Sequence, residues 1–131
     1  MLGGNNYNGT GCYNLDCAAF IQTNNNWHLG AGFGSYSTVG GAQYEVALGF
    51  YLYQGNWWLA AGNDWVGYYP GSLYAGGQLS RWAQSIDFGG ETVGSWHWPD
   101  MGSGQFASAG WTRAAYQRAI VYRNAANTGF N

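Results

Sequence analysis

The chain of 131 residues contains no lysine, and charged residues make up only 8% of it. Its cations are four arginines, and the formal net charge is −2 at pH 7. Proteins that bind nucleic acids present a basic face, so this composition argues against a nucleic-acid partner. Disordered chains combine high charge with few aromatic residues, whereas aromatic residues make up 19% here. The sequence therefore predicts a single folded domain spanning residues 1–131.

Cysteine and histidine are also scarce. Cys12 and Cys17 are the only cysteines, and His28 and His97 stand in unrelated sequence contexts. A structural zinc site needs four such ligands close together, so neither a metal nor another cofactor is expected. Cys12 and Cys17 are instead predicted to form a local disulfide, which implies an oxidising environment and a secreted or extracellular location.

The sequence has no apolar run long enough to cross a bilayer and no basic-then-apolar leader, so no membrane partner is expected. Residues 1–11 are rich in glycine and asparagine and are predicted to form a loop. Asn8-Gly9-Thr10 fits the acceptor pattern for N-glycosylation, which makes Asn8 a candidate glycosylation site in a secreted protein.

Short alternating segments dominate the remaining sequence, and residues 43–53 form the clearest predicted strand. One face of this strand is mostly apolar and is predicted to face the core. The other face mixes small, polar and aromatic groups, including Gln43, Glu45 and Tyr51, and suits a binding groove that Trp57 would extend. The predicted core face comprises Tyr44, Val46, Leu48, Phe50 and Leu52.

Further β-like runs are separated by turn signals at Gln54-Gly55, Gly62-Asn63 and residues 101–104. Residues 72–84 would accommodate one helical turn, and residues 113–123 fit either a strand or a helix capped by Thr112. Regularly spaced short strands predict an all-β fold, an antiparallel β-sandwich of jelly-roll type. The predicted strands include residues 17–22, 29–36, 56–61, 64–69 and 86–95.

The predicted strand at residues 86–95 carries a carboxylate, Glu91, directly after Gly89 and Gly90. Glycine in a strand leaves the backbone bare, so an extended ligand would be able to lie against it beside the carboxylate. The alternative is a β-bulge with a solvated glutamate on the surface. The local sequence leaves both interpretations open.

Several segments together resemble the neprosin family of secreted glutamic peptidases, in order and spacing from about residue 10 to residue 127. The family's opening cysteine motif resembles TGCYNLDC at residues 10–17 followed by FIQ at 20–22. Its closing motif resembles MGSG at residues 101–104 with Phe106, followed by Ala115-Tyr116 and Arg118. The segments between them that carry the resemblance are QYEV at 43–46, GNWWL at 55–59, VGYYP at 66–70 and GGE at 89–91.

The resemblance implies an acid peptidase directed to proline, with Glu91 as one of two catalytic glutamates and Gly89 and Gly90 beside the substrate. The family's other catalytic glutamate lies in a strand upstream of the cysteine motif, and nothing in this sequence matches that strand. Glu45 is the only other glutamate here, and its position differs. Two adjacent carboxyls share the general acid and general base roles, so we expect little hydrolysis from this chain alone.

Three functions follow as hypotheses. The chain would be a neprosin-like peptidase module that depends on a second carboxylate. Alternatively, it would be a non-catalytic module that binds an extended peptide or a glycan through exposed aromatic side chains. As a third alternative, it would self-assemble as a structural subunit through open sheet edges, because no lysine guards those edges and charge is sparse.

Overall fold

Two tight hairpins organise the longest regular part of the chain. The computed structural model describes residues 15–16, 18–124 and 129–130. Neighbouring strands of its main sheet are antiparallel, and the four strands follow the order β1-β4-β3-β2. These strands are β1 (Ile21–Gln22), β2 (Leu48–Tyr53), β3 (Asn56–Ala61) and β4 (Asp64–Tyr69).

The turns that connect these strands are the ones predicted from sequence. Gln54 and Gly55 link β2 to β3 with φ angles of 48° and 73°. Two successive left-handed residues are what a type I′ hairpin turn requires, and the turn pairs Tyr53 with Asn56. The two-residue turn at Gly62-Asn63, which links β3 to β4, is likewise confirmed.

The core lies on one face of this sheet. The bulged register of β4 makes Val66 an extra residue between the pairs Leu59–Gly67 and Ala60–Trp65, and Val66 is only 2% exposed. Trp27, Leu29 and Tyr69 pack against this core from its margin. The buried hydrophobic side chains are Phe20, Leu59, Ala61 and Val66.

Gly67 explains how β1 reaches β4. A Cβ atom at Gly67 would come within 2.7 Å of the Phe20 ring and would also meet the backbone of Ile21. Glycine is therefore required for this close approach, which seats the Phe20 ring against the sheet. The carbonyl of the bulge residue Val66 accepts hydrogen bonds from the N–H groups of Thr23 and Asn24, at 3.0 and 3.3 Å.

The described residues group into two compact units. The first unit combines the segment ending at Phe33 with Glu45–Ser85 and contains the four-stranded sheet and two short 3-10 helices, Gly71–Tyr74 and Gln78–Ser80. The second unit combines Gly34–Tyr44 with the segment that begins at Ile86. Its regular elements are a 3-10 helix, Ala107–Ala109, and the two-stranded sheet of β5 (Tyr122–Arg123) and β6 (Gly129–Phe130).

The regular structure is mostly β, as predicted, with antiparallel pairing throughout the described residues. No helix within the described ranges is long and apolar enough to cross a bilayer. Several predicted strands are shorter than expected or absent. Of the described residues 18–22 only Ile21–Gln22 form a strand, residues 29–36 and 86–95 form none, and of residues 113–123 only Tyr122–Arg123 do.

The predicted strand at residues 43–53 begins only at Leu48, because its partner β3 ends at Ala61. The Ala47 carbonyl still accepts a hydrogen bond from the Gly62 N–H at 2.8 Å, but the neighbouring strand has then turned away. The predicted alternation is right, since Leu48 lies opposite Ala61 on the core face.

The predicted burial of this face is wrong. Leu48 is 64% exposed and Phe50 is 48% exposed, and Tyr44 and Val46, which precede the strand, are exposed as well. The reason is the position of β2 at the edge of the sheet, where a side chain on the core face has a neighbouring strand on one side only.

Candidate functional site

Aromatic rings gather on the face of the four-stranded sheet opposite the core. Tyr51 pairs with Trp58, and Trp58 pairs with Tyr68, so the three side chains lie on one face across three strands. Trp65 pairs with Ala60 and joins them on the same face. We call this set of rings (Tyr51, Trp58, Trp65 and Tyr68) the aromatic face.

Neighbouring rings of the aromatic face meet at steep angles. The centroids of Tyr51 and Trp65 are 5.3 Å apart with the ring planes at 77°, and those of Trp58 and Trp65 are 5.8 Å apart at 76°. Trp58 and Tyr68 are closer, at 4.6 Å and 37°. Edge-to-face contacts of this kind are favourable for aromatic pairs. Rings inclined to one another at these angles do not form one flat platform.

Two of the four rings are accessible to a ligand. Tyr51 is 52% exposed and Trp65 is 50% exposed, whereas Trp58 and Tyr68 are partly buried beneath their neighbours. Gly49 lies beside Tyr51 on the same strand, and a Cβ atom there would come within 2.7 Å of the Tyr51 ring. The Tyr51 ring therefore lies over bare backbone, which fixes its position at the outer end of the aromatic face.

Trp57, which was predicted to extend the same groove as Tyr51, lies on the opposite face of the sheet. It pairs with Leu52 and Tyr69 on the core face. Its Nε1 donates a hydrogen bond of 2.6 Å to the carbonyl of Leu79. This bond ties β3 to the 3-10 helix Gln78–Ser80, so the structure gives Trp57 an anchoring role and separates it from Tyr51.

Gln43 lies in the second unit and holds a loop together. Its Nε2 donates to the carbonyls of Thr38, at 2.8 Å, and Gly41, at 3.0 Å, with a longer bond of 3.4 Å to Thr112. The Gly40 N–H also donates to the Thr112 carbonyl, at 2.8 Å. The Gln43 amide thus crosslinks two distant segments of its unit. Glu45 belongs to the first unit and is exposed just before β2.

Glu91 is an exposed carboxylate in an extended, irregular segment of the second unit. A Cβ atom at Gly89 would meet no atom within 4 Å, so the backbone before Glu91 is open to a ligand. At Gly90 a Cβ atom would lie 3.1 Å from the sulfur of Met101, which places this segment beside the predicted turn at residues 101–104. That turn is confirmed by the bond from the Gly104 N–H to the Met101 carbonyl.

The remaining predicted sites are not placed by the structure. Asn8, Cys12 and Cys17 lie outside the described residues. Among the residues that are described, no cluster of three or more histidine, cysteine, aspartate or glutamate side chains is arranged to hold a metal ion.

Sequence reasoning missed three of the four rings of the aromatic face. A usable signal was present, because the two-residue turn at Gln54-Gly55 fixes the register of β2 against β3 and places Tyr51 opposite Trp58. The position of Trp65 was not readable in the same way. The bulge at Val66 shifts the register of β4 by one residue, and nothing in the local sequence marks it.

Comparison with known protein families shows which family the chain belongs to. The family model described as Neprosin matches residues 2–130. The chain belongs to the neprosin family. No solved structure matches it. The predicted resemblance to the neprosin family is thereby confirmed.

Proposed function

We propose that this chain is a neprosin-family module that binds extended, proline-containing peptides on its aromatic face and hydrolyses them little by itself. The observation that carries the proposal is the aromatic face, a set of four rings across three strands with Tyr51 and Trp65 about half exposed. Charged residues make up only 8% of the chain and aromatic residues 19%, so aromatic rings are more abundant than charges as groups that could hold a ligand.

The angles between the rings favour a peptide over a glycan. Sugars stack on broad ring faces, whereas Tyr51 and Trp58 both meet Trp65 nearly edge to face, at 77° and 76°. Rings inclined in this way suit the compact, rigid side chain of proline better than the flat face of a sugar. Proline-rich segments dock into aromatic-lined grooves because their polyproline II conformation is already formed before binding. The family's relation to proline-directed peptidases supports the same ligand class.

Low hydrolytic activity follows from the number of glutamates. In the family chemistry one carboxylate activates water while its carboxylic acid partner protonates the scissile group, so two carboxyls titrate as a pair. Glu91 supplies one of them. Glu45, the only other glutamate of the chain, stands outside the family's second catalytic position. Loss of one participant in acid–base catalysis lowers the rate by typically about 10²–10⁴-fold.

We further infer that the antiparallel four-stranded sheet is one layer of a jelly-roll-like β-sandwich, and that the protein acts outside the cell. The sheet buries one face only, which supports a two-layer arrangement. The cysteine pair and the family's secreted members support the extracellular location.

Isothermal titration with a proline-rich peptide tests the proposed function. We expect Trp65→Ala to weaken binding about tenfold, or 1.4 kcal/mol, because the variant removes the most exposed indole of the aromatic face. Trp82→Ala is the matched control, since Trp82 is similarly exposed, at 45% against 50% for Trp65, but lies outside the sheet. Replacing the peptide's prolines by alanine should weaken binding to the parent chain in the same way.

Three results would contradict the proposal. The first is equal loss of affinity in the Trp65→Ala and Trp82→Ala variants. The second is no binding by the parent chain. The third is a preference for an oligosaccharide over the peptide, which would indicate that the aromatic face binds glycans.

A further inference from the structure

The outer edge of β2 has no neighbouring strand among the described residues. β2 is the last strand of the four-stranded sheet and pairs with β3 on one side only. It is six residues long, which gives a neighbouring strand a complete template. Natural proteins blunt such edges with short strands, charges, prolines or bulges, because an open edge pairs readily with another chain.

The register of the first hairpin identifies which backbone groups point outward. In a two-residue hairpin the residues that flank the turn, Tyr53 and Asn56, exchange hydrogen bonds, and bonded pairs then alternate along the strands. The N–H and C=O groups of Leu48, Phe50 and Leu52 therefore point away from β3. Among the described residues, no backbone hydrogen bond uses these outward groups.

Charges, prolines and bulges, which usually protect an edge strand from pairing, are absent from this strand. The sequence from residue 46 to residue 63 contains no charged residue and no proline. The strand is LGFYLY, and its register against β3 is continuous over the whole strand, so no bulge turns the edge away. Its larger side chains are well exposed: Leu48 at 64%, Phe50 at 48%, Tyr51 at 52% and Tyr53 at 60%.

We propose that β2 pairs with β2 of a second copy of this chain, antiparallel and centred on Phe50. In this register Phe50 lies opposite Phe50 of the partner, and Leu48 lies opposite Leu52. The outward N–H and C=O groups of Phe50 then exchange hydrogen bonds with those of the partner's Phe50, and those of Leu48 exchange hydrogen bonds with those of the partner's Leu52. A two-fold axis perpendicular to the sheet relates the copies, so their core faces lie on the same side of one continuous sheet.

The side chains fit a second copy better than an arbitrary peptide. On the core face the pairing places aromatic against aromatic and leucine against leucine, and such cross-strand pairs are stabilising. On the opposite face Gly49 lies across from Tyr51 of the partner, so the two Tyr51 rings, each lying over its own Gly49, meet at the seam. Each copy has a formal net charge of −2, so repulsion between copies is small.

The pairing extends the aromatic face. Because the core faces of both copies lie on one side, the aromatic faces lie together on the other side, and the two edge strands bring both Tyr51 rings to the seam. If the proposed function is correct, the dimer would bind a longer peptide than one copy does. The proposal of the dimer does not depend on that function, because dimerisation is measured without any peptide.

Sedimentation equilibrium over a concentration series tests the pairing with the whole chain. A strand pair buries less than the about 1,000 Å² of a stable interface, so we expect a reversible dimer in the micromolar to submillimolar range. Phe50→Lys should raise the dissociation constant at least about tenfold, because it sets two ammonium groups opposite each other at the two-fold axis. Phe33→Lys is the matched control, since Phe33 is 51% exposed and lies outside the strands.

A second variant controls for the possibility that the first fails to dimerise only because it misfolds. Phe50→Glu alone should also be monomeric, whereas an equimolar mixture with Phe50→Lys should dimerise at least as well as the parent chain, because opposite charges then meet. A parent chain that stays monomeric at every concentration would overturn the proposal. Equal disruption by Phe33→Lys, or failure of the mixture to associate, would overturn it too.

Amide hydrogen exchange distinguishes a second copy from other occupants of the edge. The amides of Leu48, Phe50 and Leu52 should become protected as the concentration rises into the dimer range. Protection that is already complete at the lowest concentration would show that another segment of the same chain covers β2, and this result would contradict the proposal.

Discussion

The two faces of the four-stranded sheet share the same strands and the same alternation, yet they differ in what their side chains contact. The core face closes over Leu59, Ala61 and Val66, which are at most 8% exposed. The aromatic face carries larger side chains, and Tyr51 and Trp65 remain about half exposed. Ring size alone would lead one to expect the opposite, because aromatic side chains bury more area than aliphatic ones.

The contrast shows that what packs against each face, more than the hydrophobicity of its side chains, decides what is buried. On the core face Phe20 and the marginal side chains Trp27, Leu29 and Tyr69 close over the central strands β3 and β4. The Trp27 indole is held there by a hydrogen bond of 2.8 Å from its Nε1 to the Asp64 carboxylate. The exposed rings of the opposite face are then available for binding.

The largest expected effect is the loss of a buried leucine from the core face. Leu59→Ala should lower the free energy of unfolding by about 2–5 kcal/mol, because it leaves a cavity among Phe20, Ala61 and Val66. Chemical denaturation of parent and variant measures the difference.

Leu48→Ala is the control on the same face. Leu48 is 64% exposed at the sheet edge, so its truncation should cost less than about 1 kcal/mol. Equal destabilisation by both variants would break the comparison, since it would place Leu48 in the core. Association through β2 must be excluded by working at low concentration.

The adjacent tryptophans of β3 give a smaller effect that sharpens the comparison. Trp57 points to the core face and donates to the Leu79 carbonyl, whereas Nε1 of Trp58 is buried without a hydrogen-bond partner among the described residues. Phenylalanine removes the indole N–H in both cases. Trp57→Phe should therefore destabilise the protein by about 1–2 kcal/mol more than Trp58→Phe, because only Trp57 loses a bond and leaves an acceptor unpaired.

Thermal unfolding of the two variants measures this difference. A larger effect for Trp58→Phe would contradict the assignment of the hydrogen-bonded indole to Trp57.

The smallest expected effect concerns Tyr74, in the 3-10 helix that follows β4. Burial raises the pKa of its hydroxyl from 10.0 to about 12, and the charge of the neighbouring Tyr69 contributes to this rise. Burial also raises the pKa of Tyr69. Because the pKa in the folded state exceeds that in the unfolded state, this contribution to stability is complete below pH 10 and is lost as the pH rises through about 12.

Tyr74→Phe should therefore flatten the fall in melting temperature at alkaline pH and change stability little near neutrality, because the hydroxyl has no hydrogen-bond partner within the described residues. An unchanged alkaline profile in Tyr74→Phe would show that other groups cause the fall.

Local chemistry made the hairpins predictable from sequence. Gln54-Gly55 and Gly62-Asn63 mark their turns directly, and the alternation from Leu48 to Leu52 gave the correct face. Burial was not predictable, because it depends on whether a strand is central or at an edge, and strand order is set by contacts between distant segments. The same reason explains residues 86–95, where alternation and glycine suggested a strand but no partner strand pairs with it among the described residues.

The candidate site was predictable only in part. Glu91 was singled out by its resemblance to a family motif and stays a prediction; the structure adds only that the space around Gly89 is open. Trp57 was grouped with Tyr51 as a binding residue. The pair Tyr53–Asn56 flanks the turn, and Tyr51 lies two residues before Tyr53 while Trp57 lies one residue after Asn56, so their side chains are on opposite faces. The carbonyl of the bulge residue Val66 accepts hydrogen bonds from Thr23 and Asn24, which are distant in sequence, so the local sequence of β4 does not predict the bulge.

The most direct test of the account measures cleavage of a proline-containing peptide in acidic buffer by the parent chain and by Glu91→Gln. The peptide concentration should exceed the dissociation constant found by titration, so that binding is not limiting. We expect both proteins to bind the peptide and to cleave it at the same background rate, because Glu91 is the only glutamate of this sequence that stands in a segment resembling a catalytic motif of the family, and the family chemistry uses two carboxyls. Turnover by the parent chain that Glu91→Gln abolishes would contradict the account and establish this module as an active peptidase.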